Sequence, residues 1–104
     1  MKPIPVIYRP EALDDIDAIF LYVLEASQHF LTARKFSDRL VERCEKIGNA
    51  PFGGATRSDL GPDLRIVPFE NKAVILYRVL ENAVEVTNIF YRGRDYDAIM
   101  ANKT

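Results

Sequence analysis

The sequence predicts an α+β domain of order β-α-α-β-β-β, with a helical hairpin packed on one face of a small antiparallel sheet and a short C-terminal tail. Two observations carry that prediction. Residues 10–47 hold two stretches with apolar residues at three- and four-residue spacing, whereas residues 64–91 hold three short apolar runs rich in β-branched and aromatic side chains. A third observation fixes the scale, because 104 residues suffice for one domain with a single modest core.

The first strand is Val6-Ile7-Tyr8, extended between Pro5 and Pro10, and Pro10 suits the first turn of a helix, where its missing N–H is no loss. Along that helix Leu13, Ile16, Phe20, Val23 and Ser27 form the expected inner stripe, widened by Ile19 and Leu24. Glu11, Asp14, Asp15 and Asp17 crowd its first two turns, where acidic groups complement the helix dipole. Asp14, Asp15 and Asp17 point in different helical directions and no His or Cys joins them, so they do not read as metal ligands. Thr32 is the predicted cap of the second helix, whose inner positions Ala33, Phe36, Leu40, Cys44 and Ile47 keep a 3.6-residue period. Gly48 and Pro51 end it.

Residues 52–63 read as a Gly- and Pro-rich loop without regular structure. The runs Leu64–Phe69, Ala73–Leu80 and Val84–Tyr91 follow, joined by Glu70-Asn71-Lys72 and Glu81-Asn82-Ala83 as tight hairpins. The middle run is apolar at every position from Ala73 to Tyr77, which predicts a central strand covered on part of both faces. Alternation in the last run assigns Val84, Val86, Asn88, Phe90 and Arg92 to one side and Glu85, Thr87, Ile89 and Tyr91 to the other. Two helices cannot cover both faces of the sheet, so one face and at least one edge are expected to stay open.

Composition narrows the function classes. The formal net charge is -1 and is evenly spread, seven basic against eight acidic residues up to Phe52 and seven against seven after it. A protein that tracks phosphates on its own ordinarily carries a basic surplus, so direct nucleic-acid binding is not expected. The lone Cys44 reads as a core thiol in a reducing compartment, and the lone His29 has no nucleophile or second acid beside it in sequence. The start, Met1-Lys2-Pro3-Ile4-Pro5, lacks an apolar signal region and no run of 18 apolar residues exists, so a cytoplasmic protein without a membrane span is expected, with no metal and no cofactor.

Several short pieces occur in a telling order: Tyr8 leading into an Ala/Asp/Leu/Ile helix start, Pro51-Phe52-Gly53, Gly61-Pro62-Asp63-Leu64-Arg65, Ile75-Leu76-Tyr77-Arg78-Val79, and Ile89-Phe90-Tyr91-Arg92-Gly93-Arg94-Asp95. Together they resemble the RelE/ParE superfamily of type II toxin-antitoxin toxins, and more closely its ParE branch, over nearly the whole chain. The resemblance implies a toxin neutralised by a cognate, ParD-like antitoxin that folds over it, with nucleic acid met only when that complex sits on its operator. ParE-like members are associated with inhibition of DNA gyrase, here expected through its A subunit, and RelE-like members cut mRNA on the ribosome.

Metal-free phosphodiester cleavage needs a base, a cation for the developing charge and an acid for the leaving oxygen. The central-strand position that carries a catalytic Arg in RelE-like toxins falls on Val74, which favours the non-enzymatic branch. Arg65 and Arg92 match basic positions of the nuclease pattern and Tyr96 fits the terminal Tyr, so a ribonuclease built on Arg65, Arg92 and Tyr96 stays open, as does a plain interaction module without toxicity. Arg92, Arg94, Asp95 and Tyr96 are the expected target-binding residues, and Tyr22, Phe30, Phe36, Arg65 and Arg78 the expected antitoxin contacts. Arg65 and Arg78 alternatively pair with Glu70, Glu81 or Glu85 across the sheet.

Overall fold

The computed structural model describes residues 2–91; the short C-terminal tail, with the expected target-binding residues Arg92, Arg94, Asp95 and Tyr96, lies outside them. The element order is β1 (Val6–Tyr8), α1 (Pro10–Ser27), α2 (Phe30–Ile47), β2 (Ala55–Thr56), β3 (Arg65–Phe69), β4 (Ala73–Val79) and β5 (Val84–Tyr91). The helical hairpin and the three-strand meander are as expected. The sheet is larger than expected, with five strands in the order β1-β5-β4-β3-β2.

One strand pairing departs from the expected antiparallel sheet, and a further antiparallel strand enlarges it. β1 runs parallel to β5, Val6 opposite Val84 and Tyr8 opposite Val86, and the pairing is extended at both ends by Val84 N–H to the Pro5 carbonyl and Arg9 N–H to the Val86 carbonyl. The crossover that parallel pairing requires is the helical hairpin plus the meander itself. In the loop expected to be irregular, Ala55–Thr56 adds a two-residue edge strand against Arg65 and Ile66.

Helix boundaries follow local chemistry. Pro10 opens α1, Gln28 closes it in the left-handed conformation at φ 55°, and its N–H bonds to the Leu24 carbonyl. His29, not Thr32, is the N-cap of α2, with its main chain extended and its N–H donating to Ser27 Oγ. Thr32 therefore lies inside the helix, its hydroxyl 3.4 Å from His29 Nδ1. Gly48 caps α2 in right-handed geometry, so the residue serves close approach rather than a positive φ: a Cβ there would collide with the carbonyl of Ile4, whose N–H bonds to the Gly48 carbonyl.

The expected α2 stripe, Ala33, Phe36, Leu40, Cys44 and Ile47, is buried at every position. The α1 stripe is rotated from the expected one: Ala12 and Ile19 are buried, with Ile16 and Val23 packed beside them, while Leu13 is 50% exposed. These helical residues meet Val67, Phe69, Ala73, Ile75, Tyr77, Val84, Val86 and Ile89 in the main core. Across the sheet a smaller cluster of Leu64, Leu76 and Phe90, flanked by Leu60, Ile66 and Val74, covers part of the opposite face. β4 lies in the middle of the sheet and is buried from both sides, as its unbroken apolar run predicts.

The alternation expected along β5 fails at one residue. Leu76 faces Asn88 and Tyr77 faces Val86, so Thr87 is an extra residue in a β-bulge. The inserted residue reverses the phase. Val84 and Val86 face the helices before it, Ile89 and Tyr91 face them after it, and Phe90 joins the second cluster. The bulge is held from α1, whose Asp15 carboxylate accepts the Ile89 N–H at 2.8 Å. Thus one of the three clustered aspartates has a structural task that places its charge against the sheet. No helix among the described residues is long and apolar enough to cross a membrane.

Candidate protein-binding surfaces

Register divides the molecule into two ends. Phe69, Ala73 and Tyr91 lie level with one another across three strands, and Arg65, Tyr77 and Val86 lie level at the other end, four β4 residues away. At 3.3–3.4 Å per residue the ends are about 13 Å apart along the strand.

At the first end the helical hairpin displays aromatic side chains. Tyr22 and Phe30, two of the expected antitoxin contacts, are 58% and 57% exposed, with Leu21 and Leu31 also on the surface. Phe30 meets Phe20 edge-on at 5.9 Å, and Tyr22 lies against Tyr91 at 5.0 Å, so the rings are held by the hairpin and the last strand. Phe36 does not belong to this surface. It is 4% exposed, packed edge-on against Phe69 and Tyr91, because its position in the inner stripe of α2 turns it toward the sheet. Arg39 and Lys72 approach its ring from 5.5 and 5.7 Å.

The two strand arginines have different fates. Arg78 lies beside Glu85 on β5 at 3.6 Å, one of the cross-strand pairings expected of it. Glu70 is drawn instead to Arg39, which donates through Nε and Nη2 at 2.8 and 3.1 Å; those bonds hold the Glu70 carboxyl below the usual range. Arg65 has no carboxylate partner among those proposed. Its Nη1 donates to the main-chain carbonyls of Phe52 and Gly54 at 3.1 and 2.8 Å, and the guanidinium lies over the Phe52 ring at 5.2 Å.

Arg65 thereby belongs to a second feature, the loop that leaves α2. Tyr77 is fully buried, and its hydroxyl accepts the Gly54 N–H at 2.9 Å while donating to the Pro51 carbonyl at 2.8 Å. Gly54 makes that approach feasible: a Cβ would stand 2.5 Å from the Tyr77 hydroxyl and 2.8 Å from the Ile66 carbonyl. The loop is thus pinned by four hydrogen bonds from two side chains, yet Phe52 at its centre is 65% exposed. A shallow cavity of about 180 Å3 adjoins it, bordered by Thr56, Ser58, Asp63 and Arg65. In the sequence, Pro51-Phe52-Gly53 points to no task of its own; its signal is an aromatic residue in a Gly/Pro-rich loop.

Remaining candidates for chemistry are engaged structurally. Val74 flanks the second apolar cluster with Leu64, Leu76 and Phe90, and His29 caps a helix on the surface. Among the described residues, no three His, Cys, Asp or Glu side chains are grouped to hold a metal ion. Cys44 is completely buried, and desolvation together with the neighbouring Glu45 charge pushes its thiol up to about 12, the opposite of a reactive cysteine. Arg92 and Tyr96, which the ribonuclease reading joins to Arg65, lie outside the described residues.

Comparison with solved structures finds a similar chain in the chromosomal ParDE TA system from P. aeruginosa, with a TM-score of 0.73 and 20% identity, covering 85% of this chain and 95% of that one. At that identity the likeness is one of fold. Comparison with curated proteins gives no match. The family model described as "ParE toxin of type II toxin-antitoxin system, parDE" matches residues 6–96, a span that takes in the whole helical hairpin and the whole meander. The chain belongs to the ParE toxin family of type II toxin-antitoxin systems.

Proposed function

We propose that this toxin acts without enzyme chemistry, by binding DNA gyrase in the cytoplasm through its A subunit, and that a ParD-like antitoxin neutralises it. The observation that carries the reading is Val74, which stands at the central-strand position where the nuclease pattern calls for an Arg and packs on the Leu64, Leu76 and Phe90 cluster, where it offers no cation to a developing phosphorane charge. Arg65 holds the loop after α2, with one nitrogen on two main-chain carbonyls and its plane over Phe52. The even charge of the chain supports the same choice, since a protein target does not demand a phosphate track.

The antitoxin's proposed seat is the aromatic surface of the helical hairpin around Tyr22 and Phe30, an exposed apolar patch of the type that a segment folding on binding can cover. Arg92, Arg94, Asp95 and Tyr96 remain the proposed contacts of the C-terminal segment with the target. Purified chain added to gyrase and relaxed plasmid is expected to block supercoiling, with relief on adding the antitoxin, and to leave ribosome-bound mRNA intact. Cleaved mRNA with unimpeded supercoiling would assign the chain to the ribonuclease alternative.

A further inference from the structure

The most exposed large apolar side chain among the described residues stands on a loop that is hydrogen-bonded on both sides of it. Phe52 is 65% exposed, yet the chain on both sides of it is tied down: Pro51 and Gly54 to the buried Tyr77 hydroxyl, and the Phe52 and Gly54 carbonyls to Arg65. Arg65 supports one side of the ring at 5.2 Å. An exposed Phe that served only to pack would be expected to fold back on the core. This one is instead projected from a fixed base, so little loop entropy remains to be lost on binding. Aromatic and Arg side chains on a preorganised support are the composition of binding hot spots.

We propose that Phe52 is a preformed anchor that inserts into an apolar socket on the folded protein the toxin attacks, with the adjoining notch hydrogen-bonding polar groups around that socket. The proposal rests on the chain being a toxin, but not on the target being gyrase. Local charge favours a protein over a nucleic acid. Arg57 is paired with Asp59 at 2.8 Å, and Arg65 shares the notch with Asp63, so the loop carries two cations and two anions and forms no basic track for phosphates. Shape favours a folded target over an antitoxin segment that folds on binding: Phe52 is a single exposed ring on a tied-down loop, suited to a socket, whereas Leu21, Tyr22, Phe30 and Leu31 spread a broader apolar surface over the helical hairpin.

The test is growth arrest on expressing the full chain without antitoxin, set beside the affinity of the purified chain for its antitoxin and its melting temperature. Phe52→Ala is expected to raise the toxin level needed for arrest by roughly tenfold or more, Phe52→Trp to retain arrest, and both to keep the wild-type antitoxin affinity and melting temperature. Arrest by Phe52→Ala at the wild-type level overturns the proposal. A matching loss of antitoxin affinity overturns it by giving the loop to the antitoxin. So does a single-stranded RNA oligonucleotide that binds the wild type and not Phe52→Ala, which would make the ring a base-stacking platform. If the wild-type chain itself fails to arrest growth, the toxin reading falls first and the anchor with it.

Discussion

Tyr77 shows how much a single hydroxyl organises. In the sequence it is one more apolar position in the central strand, but its ring lies in the main core while its oxygen both accepts from Gly54 and donates to Pro51. Removing it leaves a buried N–H and a buried carbonyl without that partner, each worth about 1–3 kcal/mol when unmet. Tyr77→Phe is therefore expected to lower stability by about 2 kcal/mol in urea denaturation, and to weaken toxicity by freeing the Phe52 loop. Gly54→Ala should be at least as damaging, because its methyl would meet both the Tyr77 hydroxyl and the Ile66 carbonyl. Proton binding gives an independent check. Burial, before the influence of Glu45, raises the Cys44 thiol from 9.0 to about 12, and burial with the hydrogen bond to Glu45 raises the Tyr8 hydroxyl above its ordinary 10.0. Both groups hold their protons more tightly folded than unfolded, so the stability they contribute is present below pH 9 and declines as the pH climbs toward 12, by about 1.4 kcal/mol per pH unit for the buried Cys44 and by less for Tyr8, which is half exposed and screened by solvent. Between pH 9 and 10 the decline belongs to Cys44, and Cys44→Ala should flatten it in urea midpoints measured across that interval.

At the scale of elements, the bulge in β5 is the feature that decides which side chains reach the core. Asp15 of α1 accepts the Ile89 N–H just past the extra residue Thr87, joining helix and strand through a charged acceptor. Hydrogen bonds to charged groups are worth about 1.5–3 kcal/mol, so Asp15→Ala should cost an amount in that range, while Asp17→Ala, exposed on the same helix, should stay within about 0.5 kcal/mol of wild type. Thermal or urea unfolding of the two variants separates them directly. The same elements show where sequence reasoning reached and where it stopped. The α2 stripe was legible because five inner residues repeat at helical spacing with charges between them. The α1 stripe was displaced because a small residue, Ala12, permits the close helix–sheet contact that the pattern had assigned to Leu13. Thr87 gave no warning, being as suited to a regular strand as to a bulge. Hairpin turns specify neighbours in sequence, so they revealed the meander but not the parallel pairing of β1 with β5, nor the reach of Arg65 and Tyr77 to the loop after α2. Phe36, expected among the antitoxin contacts, is buried because its place in the α2 stripe turns it toward the sheet, and helical spacing outweighs aromatic character in fixing where a side chain lies.

At the scale of the whole molecule, the described residues offer two aromatic surfaces at opposite ends of one sheet: the helical hairpin around Tyr22 and Phe30, and the pinned loop around Phe52. Separate surfaces allow separate losses. Tyr22→Ala with Phe30→Ala is expected to weaken antitoxin binding by roughly tenfold or more in calorimetry while the chain still arrests growth once antitoxin is absent. An antitoxin seated on one surface must then neutralise by bulk, by overlap with the C-terminal segment, or by both, and competition between antitoxin and target for the purified chain measures the outcome. The most direct measurement of the central claim is gyrase supercoiling of relaxed plasmid with the purified chain titrated in, alongside primer extension on translated mRNA from the same preparation. A non-catalytic gyrase-binding toxin should abolish supercoiling in proportion to its own concentration, recover with antitoxin, and leave the transcript uncut. Full supercoiling activity beside a cleaved transcript would contradict it.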